Sequence, residues 1–170
     1  MAAAVARRHL QLRDGRLVLV RPVEAGDAAA IVALCERLSP TSSLQRFFTP
    51  GRRLSEHEAR NVAEVDHVRC ETLVALDAAR LVALGSLQQL GDDPHAELTL
   101  VVEDAYQGQG LGRQMLAELI SAAVALGFSM LWVEVLPDNT RVLRLLETAG
   151  LEIFVDPYFG LTRVLVYLQS

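Results

Sequence analysis

The residues best suited to chemistry lie between positions 97 and 139. The stretch Val101-Val102-Glu103-Asp104-Ala105-Tyr106-Gln107-Gly108-Gln109-Gly110-Leu111-Gly112-Arg113 places three alternating glycines where an apolar strand-like run gives way to a helical pattern. A helix start leaves four backbone N–H groups unpaired and carries a partial positive charge, and glycine lets a ligand approach them closely. Such a junction suits a phosphate. Glycines can also serve a tight turn that binds nothing, but here no side-chain cap is available to meet the helix N–H groups. The dinucleotide fingerprint G-x-G-x-x-G would begin at Gly108 and require glycine at 113, where Arg113 stands, and it belongs after the first strand of a parallel unit. The spacing that fits is Q-x-x-G-x-G, from Gln107 to Gly112.

Composition narrows the chemistry further. All 16 basic residues are arginine, which excludes a Walker A phosphate loop, a Schiff-base lysine and a lysine general base. The net charge of −5 argues against a nucleic-acid partner, which calls for a basic face. An anionic ligand must therefore be held by local donors against the global field. Cys35 and Cys70 are too few for a disulfide framework and fit no metal-knuckle spacing. His9, His57, His67 and His95 show no ligand spacing either, so no metal is expected. No apolar run approaches the roughly 18 residues of a membrane span, and the apolar opening precedes Arg7 and Arg8, the reverse of a secretory signal. A cytoplasmic protein with no membrane partner is the expectation.

These residues need a scaffold, and 170 residues with 51% apolar content predict one domain with a real core. Residues 1–12 read as a loose N-terminus and 13–170 as the domain. Asp14-Gly15 is a turn before a first strand at 17–20. Ile31, Leu34, Cys35 and Leu38 recur at helical spacing, and Ser39-Pro40 ends that helix. The segment 42–53 reads as turn-rich, and Ser55 with Glu58 resembles a capping box opening a second helix to about Asp66. Three strand-like runs follow, at 72–76, 81–87 and 96–103, as an antiparallel meander. Leu111, Met115, Leu119, Ala122 and Leu126 mark a helix, 130–136 a strand, and Val142, Leu145, Leu146 and Ala149 a helix stopped by Gly150. Two strands, near 152–156 and 161–168, close the chain. The order βα(α)βββαβαββ predicts an α/β fold with a mixed sheet, a meander leading into a βαβ unit.

With the loop and the elements in place, a family resemblance emerges. The Gln107 to Gly112 segment resembles the acetyl-CoA pyrophosphate loop of the GNAT superfamily of N-acetyltransferases, with Asn139 in the position of that family's asparagine after the next strand. Arg21-Pro22 with Asp27, Leu38-Ser39-Pro40, Arg46-Phe47-Phe48, Leu54-Ser55 and Val65-Asp66 resemble, within it, the GNAT domain of bacterial protein-lysine acetyltransferases that modify acyl-CoA synthetases. Together these matches cover roughly residues 13–151. The resemblance implies a GNAT-type sheet with helices on both faces, and acetyl-CoA as acyl donor. It implies that the backbone of Leu100, Val101 and Val102 meets pantetheine. The amides of Gln107, Gly108, Gln109, Gly110, Leu111, Gly112 and Arg113 would hold the pyrophosphate, and Asn139 would touch the pantetheine arm.

The resemblance also implies a glutamate base early in the third meander strand, and that position is Glu97. A lysine-type amine has a pKa near 10.4, so about one in 2,500 is neutral at pH 7 and a carboxylate must collect its proton. Strand alternation puts Glu97, Thr99 and Val101 on one face and Ala96, Leu98 and Leu100 on the other. Glu134 is the second candidate. Where many family members carry a tyrosine that protonates the departing thiolate, this chain has Leu146, which leaves water or a group such as Tyr158 for that step. Tyr106 and Trp132 read as packing residues, and Phe47-Phe48 as lining for the acceptor site or the core. The expected function is acetyl transfer to a primary amine, a protein lysine such as that of an acyl-CoA synthetase. A small-molecule amine and a catalytically silent acyl-CoA-binding module are the alternatives.

Overall fold

Eight strands form among residues 5–168, which the computed structural model describes. They are β1 (Arg8–Gln11), β2 (Leu17–Pro22), β3 (Cys70–Asp77), β4 (Arg80–Gln89), β5 (His95–Val102), β6 (Met130–Val135), β7 (Glu152–Tyr158) and β8 (Leu161–Tyr167). They form one sheet in the order β1-β2-β3-β4-β5-β6-β8-β7. All neighbours are antiparallel except β5 and β6. That single parallel pair carries the crossover helix of the expected βαβ unit. The helices are α1 (Ala28–Arg37), α2 (Pro40–Phe47), α3 (Glu56–Ala63), α4 (Leu111–Ala125) and α5 (Thr140–Thr148).

Two cores result, one on each face of the sheet. Leu111, Met115, Leu116 and Leu119 of α4 pack with Leu98 of β5, Leu131 of β6 and Leu146 of α5. On the other face Ile31 and Leu34 of α1 and Ala59 of α3 pack with Val74, Leu84 and Val101. Helices thus cover both faces, and β5 alternates as expected, with Ala96 and Leu98 in the first core and Val101 in the second. A buried ion pair, Arg21 with Asp27 at 2.7 and 2.8 Å, fixes the turn from β2 into α1. Burial alone would raise the Asp27 carboxyl, but Arg21 and the Glu24 N–H outweigh it and hold it below the ordinary value.

Two expectations need correction. Arg8–Gln11 is not loose: it pairs with Leu17–Val20 as an edge strand, folded back by the turn at Gly15. Its one strongly apolar residue, Leu10, gives no alternation to read. The remainder of the expected loose segment includes residues 1–4, which lie outside the described residues. The turn-rich reading of 42–53 also fails, because Pro40–Phe47 is a helix. Ser39 is its N-cap, accepting from the Ser42 N–H at 3.1 Å, and Pro40 suits the first helical position. Ser39-Pro40 therefore ends one helix and starts the next, and the helix buries Ser42 and Ser43 in place of apolar residues, which masks the periodicity. The following helix stops at Ala63, short of Asp66.

The approach of α4 to the sheet sets where its N-terminus lies. Gly85 of β4 makes that approach possible: a Cβ there would stand 2.5 Å from Leu119 Cδ1 and 3.3 Å from Leu100 Cδ1. Gly85→Ala should therefore destabilise the fold by about 1–3 kcal/mol through overpacking. Urea denaturation of Gly85→Ala, Leu119→Ala and the double variant checks this. The double variant should lose less stability than the two single losses together, because shortening Leu119 removes the clash.

Candidate active site

β5 and β6 hold together over only three residue pairs, ending at Glu97 opposite Trp132. Beyond that point β5 stays paired with β4 as far as Val102 opposite Ala83, and β6 stays paired with β8 as far as Val135 opposite Thr162. Two adjacent strands, each anchored on its far side, thus part and leave an open wedge. The wedge is the floor of a cleft of about 510 Å³, lined by Glu97 to Val102 of β5 and Val133 to Val135 of β6. The glycine loop at 107–113, α2 and α5 supply the walls.

At the loop end, the backbone is arranged for an anion. Gly108 and Gly110 sit at φ of 72° and 85°, the left-handed region that glycine tolerates. Gly110 is the N-cap of α4 and offers no side chain to it. Among the described residues, none of the N–H groups from Gly108 through Arg113 has a hydrogen-bond acceptor. The loop carbonyls are occupied instead: Arg13 Nη1 donates to the Gly108 oxygen at 3.3 Å and the Arg13 N–H donates to the Gln109 oxygen at 3.1 Å. The loop therefore turns its donors outward and its acceptors back into the protein. Gly112 differs from the other two glycines. Its φ lies outside the left-handed region, and a Cβ would make only ordinary contacts with Val102 at 3.8 Å and Leu145 at 4.0 Å. Its missing side chain keeps the cleft open and is not demanded by the backbone.

The side chains add charge. Among the described residues ten arginines lie within salt-bridge reach of a carboxylate. Six do not: Arg13, Arg46, Arg53, Arg113, Arg141 and Arg144. All of these except Arg53 line the cleft. A chain with a net charge of −5 thus gathers its uncompensated cations in one place. Gln107 braces the wall between them. Its side-chain amide donates to the Val102 oxygen at 3.0 Å and to Ser42 Oγ at 3.1 Å, while its oxygen accepts from Arg141. Asp104 completes the brace by accepting from Ser39 Oγ at 2.6 Å and Ser42 Oγ at 2.8 Å, which ties α2 to the end of β5.

At the narrow end stand two carboxylates in different states. Glu134 is committed to Arg163 at 2.7 Å, whose guanidinium lies 3.5 Å from the Tyr158 ring centroid. Glu97 is half-buried and has no hydrogen-bond partner among the described residues. Burial pushes its carboxyl above the ordinary glutamate value and nearby Glu134 adds to the rise, against opposing pulls from Arg46 and Arg163. A carboxyl poised in this way can exchange a proton with a bound molecule.

The residues singled out from the sequence converge here with two exceptions. Glu97, Leu100, Val101, Val102, Gln107, Gly108, Gly110, Gly112, Arg113 and Asn139 all line the cleft. Asn139 is 5% exposed, and its side-chain amide has no partner among the described residues. Gln109 and Leu111 do not line the cleft: Leu111 is wholly buried in the core, so only its backbone N–H is placed to serve a ligand. Leu146 lines the cleft and is buried, whereas Tyr158 stacks on Arg163 and does not line it. Arg13, Ser42, Gln45, Arg46, Arg141 and Arg144 were not foreseen. Arg141 and Arg144 share one helix face three residues apart, a signal that was available, while Arg13 arrives from a hairpin nearly a hundred residues away.

A splayed pair of central strands with an uncapped helix start between them frames the cleft. The sequence matches the model of the acetyltransferase (GNAT) family over residues 37–151, and the chain belongs to that family. The GNAT domain of S. lividans PAT is similar in structure, with a TM-score of 0.88 and 28% identity over 95% of this chain and 97% of that one. Acetyltransferase Pat of Mycolicibacterium smegmatis is 26% identical over 156 residues, 88% of this chain and 46% of Pat, so the chain spans about half of that relative. An acetyltransferase of Pseudomonas aeruginosa is 27% identical over 125 residues, 71% of this chain and 67% of that protein.

Gly112→Glu tests the loop. The fold has room for a Cβ at this position, and a carboxylate beyond it would add negative charge beside the unpartnered N–H groups of the loop. The variant should keep its thermal midpoint and bind CoA at least about tenfold more weakly, roughly 1.4 kcal/mol, in calorimetry. A change below about threefold would remove the loop from phosphate binding.

Proposed function

We propose that this chain transfers an acetyl group from acetyl-CoA to a primary amine, with a protein lysine side chain as the acceptor. The observation that carries the reading is the run of unpartnered N–H groups from Gly108 through Arg113 at the mouth of the wedge between β5 and β6. Those donors, with Arg13, Arg113, Arg141 and Arg144, fit the phosphates of CoA. The parted edge of β5 at Leu100, Val101 and Val102 offers backbone groups to the pantetheine arm, and Asn139 offers a free amide to the same arm. An N–H on that edge would also polarise the thioester carbonyl.

The chemistry needs one base at the narrow end. Glu97 accepts the proton lost by the ammonium, directly or through water. The amine nitrogen then forms its bond to the carbonyl carbon as the carbon–sulfur bond breaks. Glu97 releases that first proton to solvent, takes the second from the nitrogen as the amide forms, and the sulfur leaves as a thiolate that is protonated from solvent. No tyrosine lines the cleft to serve that step, because Leu146 stands in the matching position and Tyr158 is turned to Arg163. Holding both substrates against Glu97 is worth more than any acid catalysis the leucine forgoes, since a thiolate is a good leaving group near neutral pH. Glu134 is the weaker candidate for the base because Arg163 holds it as an ion pair. A protein lysine is the favoured acceptor because Arg21-Pro22 with Asp27, Leu38-Ser39-Pro40, Arg46-Phe47-Phe48, Leu54-Ser55 and Val65-Asp66 resemble the GNAT domain of protein-lysine acetyltransferases.

Glu97→Gln tests the reading, since it keeps size and hydrogen bonding but cannot take the proton. Turnover with lysine peptides near pH 7 should fall by about 10²–10⁴-fold with CoA affinity little changed. Because Glu97 is raised above 4.5, the wild-type rate should climb as pH rises through that higher value and frees the carboxylate. The variant should lack this limb and recover in part at alkaline pH, where more of the amine is neutral. Equal wild-type and variant rates at pH 7 would move the base to Glu134. CoA binding without turnover on any amine would leave an acyl-CoA-binding module.

A further inference from the structure

The five cleft-lining arginines without carboxylate partners among the described residues divide between the two ends of the cleft. Arg13 and Arg141 touch the phosphate loop, at Gly108 and Gln107, and Arg113 and Arg144 line the same cleft from α4 and α5. Arg46 stands apart from them. Its Nη2 reaches Thr99 Oγ1 at 3.5 Å, on the face of β5 that carries Glu97, and Thr99 lies about 10 Å up the strand from Val102. The phosphates of a CoA ester seated on the loop do not account for a cation there.

Arg46 is also held in place. It belongs to α2, which Ser39 caps and Asp104 clamps to the end of β5, and its guanidinium lies 5.1 Å from the Phe47 ring centroid. It is half-buried, and burial pushes its pKa down against the opposing influence of Cys35 and Glu97. Of five N–H donors a guanidinium offers, one makes a long contact and none meets a carboxylate within 4.0 Å among the described residues. A fixed, half-buried cation facing a cleft is costly to leave uncompensated. An acceptor ammonium would be repelled by it, so the missing partner is an anion.

We propose that Arg46 binds a carboxylate carried by one of the two substrates, either at the far end of the acyl chain of the CoA thioester or beside the acceptor amine. The proposal rests on the acyl-CoA reading above. A planar guanidinium meets a carboxylate through two parallel hydrogen bonds. A substrate lacking that group leaves the cation unmet and is discriminated against.

Two matched substrate pairs test it with the purified full chain. The donor pair is succinyl-CoA against butyryl-CoA, equal in chain length and differing in the terminal carboxylate, with a lysine peptide of neutral flanks as acceptor. The acceptor pair, with acetyl-CoA, is a lysine peptide flanked by glutamate against the same peptide flanked by glutamine. In the wild type one pair should show at least a tenfold preference in kcat/KM for the carboxylate member, about 1.4 kcal/mol, and that pair names the source. Arg46→Gln should bring the ratio to within about twofold, and Arg46→Lys, which keeps the charge and loses the fork, should retain part of it. If Arg46→Gln does not fold, the Arg46→Lys ratio carries the test. Should no pair turn over, the same ratios are read as dissociation constants. Ratios near one in the wild type, or a preference that survives in Arg46→Gln, overturn the proposal. So does a shift of the pH profile alike for both members of each pair, which would mean that Arg46 only tunes Glu97. Calorimetry with CoA on the wild type separates the two readings: CoA binding with no carboxylate preference sinks this proposal alone, and no CoA binding sinks the acyl-CoA reading beneath it.

Discussion

The parting of β5 from β6 after Glu97 and Trp132 is the constraint on which everything else depends. A parallel pair normally continues its ladder, because each unpaired backbone group facing away from water costs a hydrogen bond. Here each strand keeps its outer ladder, β5 with β4 and β6 with β8, while their inner edges separate. The open edges then face a cleft where water or a ligand can satisfy them. α4 must cross between the two strands, and its N-terminus arrives at the mouth of the wedge. One topological fact therefore places an unpaired strand edge, a helix start and a strand-borne carboxylate around one cavity.

The walls show how local chemistry is recruited to hold that geometry. Gln107 spends its side chain on Val102, Ser42 and Arg141, so a residue expected to hold the phosphates with its amide also fastens three elements together. Asp104 and Ser39 seat α2 by the same means. Glu103, almost wholly buried, is bound by Arg37 and Arg80 at the foot of the same strand. These acids are satisfied by arginines or hydroxyls, whereas the arginines in the cleft are left without acids. The charge distribution is thus sorted by position: compensated where the scaffold is braced, uncompensated along the cleft.

The two carboxylates at the narrow end illustrate how environment divides identical chemistry. Glu134 and Arg163 face each other across β6 and β8 in register, which fixes their pairing through the backbone. Glu97 has Gln88 and Trp132 as its neighbours across the strands, neither of which is a cation. Burial then acts on it without a direct counter-charge, and its carboxyl rises.

The sequence by itself determined the order of elements, the alternation along β5 and the loop at Gln107 to Gly112, because these are written in local periodicity and glycine spacing. It also pointed to Glu97 and Asn139 through the family resemblance of those short segments, and both line the cleft. It did not disclose β1, whose pairing comes from β2 and not from any apolar alternation of its own, nor α2, whose start at Ser39-Pro40 reads equally as a stop. The gathering of Arg13, Arg46, Arg141 and Arg144 around one cleft was decided only by the tertiary structure. An arginine's significance depends on whether a carboxylate lies within reach, and that is a relation between residues far apart in the chain. The same holds for Leu111, which sits in the right motif yet buries its side chain in the core because the helix that begins there must bury one face, and for Gln109, which does not line the cleft.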